Sequence, residues 1–177
     1  MKNEFILVPP SEAYASEIAA YRQEFLAAGD SMDGCGSLRR IEDPIEYIER
    51  SQAMTRKETV PEGLVQATQF LYVRSSDCRV VGMIQVRHYF NEYLEKYAGH
   101  IGYSVRPSER RQGYAKAMLR AALPFCKEIG LDRVLISCID GNIGSEKTIL
   151  SCGGVYESTV YLESEDVYLK RFWITLQ

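Results

Sequence analysis

The chain has little with which to hold a metal, cross a bilayer or grip a nucleic acid. Its 177 residues include two histidines, His88 and His100, with no clustered ligand spacing around them. No apolar run is long enough to span a membrane. The short apolar piece Phe5 to Val8 runs into Pro9-Pro10, too brief for a secretory core and without a cleavage site. Net charge is −3, so no general excess of positive charge awaits a polyanion. The five cysteines, Cys35, Cys78, Cys126, Cys138 and Cys152, form no Cys-x-x-Cys pair. An odd, scattered set reads as reduced thiols, and a cytoplasmic location is expected. There is no internal repeat, no low-complexity tract and no Gly-Lys-Ser/Thr phosphate signature.

What is present is enough apolar residue, 46%, for one globular domain with a sizeable core. Phe5 to Val8 predicts a short strand. Ser11 is a good N-cap for an amphipathic helix running to Ala28, with Tyr14, Ile18, Tyr21, Phe25 and Leu26 at helical spacing. Gly29 to Gly36 is rich in helix breakers and predicts a flexible loop in which a reactive Cys35 thiol is one option. Pro44 opens a second helix. Thr68 to Val73 and Val80 to Arg87, joined by Ser75-Ser76-Asp77, predict an antiparallel hairpin. Tyr89 to Tyr97 is aromatic-rich and irregular. His100 to Val105 is a strand, residues 113 to 129 a helix that Pro124 should kink or split, and Arg133 to Cys138 a buried strand. A helix over Asn142 to Cys152 and a closing pair, Val155 to Leu162 with Val167 to Thr175, complete the chain. The strands on either side of the 113–129 helix should be parallel, since a crossover helix joins them.

The most informative stretch is Arg110-Arg111-Gln112-Gly113-Tyr114-Ala115, at a strand-to-helix junction. The first turn of a helix has amides with no internal partner, and the helix dipole adds partial positive charge there. Gly113 lets a phosphate approach the backbone, Ala115 keeps the next position small, and Arg110 and Arg111 add charge. The pattern suits a pyrophosphate.

Residues His100 to Ala115 resemble the acetyl-CoA motif of the GNAT superfamily of N-acetyltransferases. A strand at Val134 to Cys138, then Asn142-Ile143-Gly144-Ser145 and a helix ending at Gly153-Gly154, is similar to that family's next strand and helix. The resemblance implies an α/β fold with a mixed sheet and a βαβ unit flanked by helices. It divides one domain into a substrate-facing half (1–98), an acetyl-CoA-binding core (99–155) and C-terminal strands (156–177). The co-substrate it implies is acetyl-CoA, held by Ser104, Val105, Arg110, Arg111, Gln112, Gly113, Tyr114, Ala115, Asn142 and Ser145. A bulge near the end of the 100–105 strand would free main-chain groups for the pantetheine arm. The reaction implied is acetyl transfer to a primary amine of a small molecule or peptide, with neither nucleic acid nor membrane as partner and a homodimer left open.

His100, Tyr103 and Ser145 are the catalytic candidates. His100 has the ordinary pKa of a base for an ammonium, and it could equally be a structural residue at a strand start. Glu92 and His88 are alternative bases. Many family members carry a tyrosine seven residues after the Asn, as acid for the leaving thiolate; here that position is Ile149. The acid could instead be Ser145, Tyr156, Tyr103 or a water, or the chain could be a non-catalytic acyl-CoA sensor. Tyr89, Phe90, Tyr93 and Tyr97 could wall an acceptor pocket or pack the core. Glu24, Asp30 and Asp33 could attract a cationic amine or form a solvated face.

Overall fold

Two antiparallel sheets, joined at one corner, form the frame of the computed structural model, which describes residues 4–177. Residues 1–3, assigned above to the substrate-facing half, lie outside that range. The first sheet has the order β1 (Phe5–Val8), β2 (Ala67–Arg74), β3 (Arg79–Arg87), β4 (Ile101–Val105). The second is β5 (Arg133–Ile139), β7 (Val167–Thr175), β6 (Val155–Leu162). Helices α1 (Ala15–Ala28) and α2 (Pro44–Ala53) cover one face of the first sheet. Helix α3 (Tyr114–Glu128) covers the other, and α4 (Ile143–Ser151) packs beside it.

β3 is buried on both faces, and its residues divide between two cores, alternating from Met83 to Val86, with a bulge at Val81 that shifts the alternation by one residue. Val81, Ile84 and Val86 pack with Met118, Leu119 and Ala122 of α3 and with Val134, Ile136, Phe172 and Ile174 of the second sheet. Val80 and Met83 pack with Ile18, Tyr21 and Phe25 of α1 and Tyr47 and Ile48 of α2.

Three local expectations are refined. Ser11 caps a single 3-10 turn, Glu12–Tyr14, before α1 begins, and does so without its side chain. Asp43, not anticipated, caps α2 by accepting the Ile45 amide at 2.9 Å. α3 runs unbroken through Pro124. Proline sits there on the exposed side, where water can reach the carbonyl that loses its partner.

β4 and β5, the two strands expected to run parallel, do not pair with each other. β4 pairs with β3 and β5 with β7, and a single bridge between Gly99 and Ile136 connects the two sheets. The cause lies in His100. Its backbone N–H donates to the Leu135 carbonyl at 2.8 Å, and its Nδ1 accepts the Leu135 amide at 3.0 Å. The imidazole takes a donor that a ladder would need. Beyond this point the strands carry no further mutual ladder, and the edge of β4 facing the second sheet is free.

Candidate active site

The helix that starts at the junction loop has an open N-terminus. Gly113 is the N-cap of α3 at φ 80°, and no side chain caps the first turn. A Cβ placed on Gly113 would meet no heavy atom within 4 Å. The amides of Tyr114, Ala115 and Lys116 are those an α-helix leaves without internal partners. The loop therefore fits a diphosphate on both counts, space and free donors.

The arginines divide differently from expectation. Arg106 is 4% exposed and lies between Glu17 (2.9 Å) and Glu24 (2.6 Å). Although burial alone would raise Glu24, hydrogen bonds from Ser108 and Arg106 hold its carboxyl down at about 2. Arg110 pairs with Asp30 at 2.7 Å, donates to the Val105 carbonyl at 3.1 Å and lies over the Phe25 ring. It braces the loop against α1, so its charge is already balanced. Arg111 is exposed and makes no ion pair among the described residues. Gln112 accepts the Tyr114 hydroxyl at 3.1 Å.

On β4 the alternation of the ladder sorts the backbone. The His100 carbonyl accepts from Arg87 on β3, and the Arg106 amide donates to Val81. With that period, the N–H and C=O groups of Tyr103 and Val105 face away from β3, toward the free edge. The β3–β4 register is regular from Ile101 to Val105, so edge position, and not the expected bulge, turns these groups outward; the Val105 carbonyl is taken by Arg110, which leaves the Tyr103 groups and the Val105 amide. Ser104 points the other way. Its carbonyl and hydroxyl each lie 3.0 Å from the Tyr21 hydroxyl, and its Oγ lies 3.2 Å from Cys35 Sγ.

Tyr103, Asn142 and Ser145, far apart in sequence, come together at the free edge. The Tyr103 hydroxyl and Ser145 Oγ are 2.8 Å apart. Asn142 caps α4 by accepting the Ser145 amide at 3.1 Å. Burial pushes the Tyr103 phenol well above its usual range, against the lowering effect of Ser145, so it stays protonated at neutral pH. Ile149, at the position where the family resemblance has a tyrosine, is fully buried in the core beneath Gly154.

The base expected at His100 is not supported by its surroundings. The residue is 5% exposed, stacks on Phe90 with ring centroids 4.0 Å apart, and spends Nδ1 on Leu135. Burial, with the Arg87 charge adding to it, pushes its pKa down to about 4. A base that weak takes few protons from an ammonium near pH 7. His88 is held by Thr68 at 2.8 Å and faces Phe125 of α3. Tyr156 is exposed and engages Thr159 at 2.8 Å.

A cavity of about 570 Å³ opens on the α1–α2 side of β3. Its walls come from residues 32–37, the end of α2, residues 59–65, the outer ends of β2 and β3, and residues 91–94. Gly34 is pressed onto β4 so closely that a Cβ would lie 2.1 Å from the Gly102 carbonyl oxygen. Gln69 is buried and fixes the same loop by donating to the Gly34 carbonyl at 2.8 Å. The loop is thus a built wall, and Cys35 within it is buried, with burial pushing its thiol up to about 12. Of the three acidic candidates, Glu24 and Asp30 are committed to arginines and Asp33 lines the cavity. Of the aromatic candidates Tyr93 lines it. Arg87, Gln69 and Gln85, which also line it, carried no motif in the sequence.

The chain matches the acetyltransferase (GNAT) domain family over residues 5–155. No curated protein matches it significantly. Among solved structures it resembles the ribosomal-protein-S5-alanine acetyltransferase from Vibrio fischeri (TM-score 0.73, 16% identity), covering 100% of this chain and 96% of that one. It also resembles the microcin C7 self-immunity acetyltransferase MccE, in complex with acetyl-CoA and AMP (0.70, 20%, covering 97% and 92%). A third relative is RimL, a ribosomal L7/L12 α-N-protein acetyltransferase in complex with coenzyme A (0.70, 16%, 99% and 96%). At these identities the structural likeness establishes the fold, and the family match carries the rest: the chain belongs to the GNAT acetyltransferases.

Proposed function

We propose that the chain transfers the acetyl group of acetyl-CoA to a primary amine. The observation that carries this reading is the uncapped start of α3, in the same α3 layer as the Tyr103–Ser145 pair. The amides from Gln112 to Ala115, with the Arg111 charge beside them, bind the diphosphate. The main-chain groups of Tyr103 and the Val105 amide, on the free edge, orient the pantetheine arm, and the two amides stabilise charge on the thioester oxygen. Bound acetyl-CoA supplies an activated thioester whose thiolate leaves readily. Tyr103 stays protonated and orients Ser145, and the Ser145 hydroxyl donates a hydrogen bond to the departing sulfur, which leaves as the thiolate and takes its proton from water. Asn142 holds Ser145 in register through its amide. The acceptor enters through the cavity on the α1–α2 side, where Asp33 draws the ammonium and removes its proton through water.

The test is release of free CoA thiol from acetyl-CoA over a panel of amines, with the wild type and Ser145→Ala. Turnover is expected, with kcat of the variant reduced by roughly 10²-fold and acetyl-CoA affinity held. Acetyl-CoA binding without turnover on any amine would overturn the reading in favour of an acyl-CoA sensor.

A further inference from the structure

Arg87 lies at the end of β3 on the wall of the 570 Å³ cavity. Its Nη1 makes two long contacts to carbonyls, Gly99 at 3.3 Å and Ala98 at 3.5 Å. Its Nη2 lies against Gly102, 3.3 Å from where a Cβ would stand. No carboxylate comes within 4.0 Å of it among the described residues, whereas Arg74, Arg79, Arg106, Arg110 and Arg171 each have one. Burial lowers its pKa, with Asp33 and Tyr93 opposing that effect from a distance. Arg87 is half-buried, and a guanidinium partly withdrawn from water without an ion pair is costly unless something else meets it.

The rest of the cavity indicates what that is. Its charged lining residues are Asp33, Arg40, Arg50 and Arg87. Arg50 is engaged by Glu46 at 3.3 Å, and Arg40 has no ion pair among the described residues. Asp33 lines the same cavity as Arg87, makes no ion pair with it, and accepts the Ser31 hydroxyl at 3.0 Å through one carboxylate oxygen, leaving the other open. The wall therefore offers a carboxylate and a guanidinium, separated by space and each with open hydrogen-bonding capacity. That pair is complementary to one molecule carrying both an ammonium and an oxyanion.

We propose that the amine acceptor carries an anionic group, a carboxylate or a phosphate monoester, close to its reacting amine, and that Arg87 is the specificity-determining residue that receives it. The proposal rests on the acetyltransferase reading above. Asp33 holds the nitrogen end, while Arg87 fixes the anion in a bidentate grip, with Arg40 adding charge at the exposed rim. A neutral analogue would leave the Arg87 charge unmet, which is the asymmetry that gives polar pockets their discrimination.

The experiment uses matched acceptor pairs with the full chain: α-amino acids against their amides, and aminoalkyl phosphates against the corresponding amino alcohols. The anionic member of at least one pair is expected to be favoured roughly tenfold or more in kcat/KM. Which pair shows it separates carboxylate from phosphate. In Arg87→Gln that ratio is expected to fall toward one through a raised acceptor KM, with acetyl-CoA affinity held. Arg87→Lys is expected to restore part of it and serves if the glutamine variant folds poorly. Turnover without preference, or a preference that survives Arg87→Gln, would overturn the proposal and leave the acetyltransferase reading intact. If no amine is turned over, calorimetry of the same acids and phosphates with the CoA-saturated protein decides. Equal binding to wild type and Arg87→Gln, or no binding to either, would overturn it.

Discussion

The cleft left where β4 parts from β5, on the α3 side of the first sheet, and the cavity on its α1–α2 side are made by opposite means. The cleft is assembled from one continuous piece of chain, strand, loop, helix, strand and helix, and its donors are mainly backbone amides. The cavity is assembled from separate pieces of chain, and its chemistry is in side chains: Asp33, Arg40, Gln69, Gln85 and Arg87. Backbone donors bind a ligand that never changes, such as a diphosphate, because they depend on conformation and not on residue identity. Side-chain donors can be exchanged one at a time, which suits a site whose ligand sets specificity.

The sharpest way to break this contrast is Gly113→Glu. The substitution sets a negative side chain where the α3 amides open, in space that is free of other atoms. The fold should survive, at the cost of a non-glycine residue at φ 80°, about 1 kcal/mol. Acetyl-CoA affinity should fall by on the order of 10²-fold or more, from lost contacts and like-charge repulsion. Calorimetry for acetyl-CoA and a thermal melt read the two effects separately. Unchanged affinity would mean that the diphosphate does not lie on this helix.

The contrast also explains what could be read from the residues alone. The Gly113 loop, the α3 helix and the strand order from 100 to 155 announce themselves because local propensity and local function coincide there. The Tyr103–Ser145 contact was open to reading only as two separate candidates, since 42 residues separate them and no spacing rule brings them together. The splay of β4 from β5 escaped altogether. It depends on one imidazole taking the Leu135 amide, a side-chain-to-backbone bond that leaves no periodic trace. The pairing of Arg110 was hidden for the same reason: its partner Asp30 comes from the end of α1. The cavity was least legible, because Arg87 looks like an ordinary strand-end arginine until the Gly99 turn and Gly102 close around it.

His100 sits where the two regions meet, and its protonation sharpens the comparison. Its folded pKa is about 4, below the ordinary 6.5. The stability that comes from keeping it neutral is complete above about pH 6.5 and is lost as pH falls toward 4, on the order of 3 kcal/mol. Melting temperature should therefore drop between pH 7 and pH 4. His100→Asn, whose side-chain oxygen can still accept the Leu135 amide, should flatten the His-dependent part of that drop. It should also retain acetyl transfer. Loss of kcat in a well-folded His100→Asn protein would return His100 to the role of base.

The smallest effect is expected at Tyr21, where α1 touches the back of the active strand. Its buried hydroxyl serves Ser104 twice, at the carbonyl and at Oγ. In Tyr21→Phe the Ser104 carbonyl keeps its place in the β3–β4 ladder and the hydroxyl keeps Cys35. Little is left unsatisfied, so the cost should be about 1 kcal/mol, or about 2–4 °C in Tm. The bond acts on the cavity face of β4, while the free edge that meets the cleft is formed by Tyr103 and Val105. Acceptor KM should therefore rise a few-fold while acetyl-CoA affinity stays level. Equal losses on both sides would show that β4 yields as one body, and that the cleft and the cavity are tuned together and not independently.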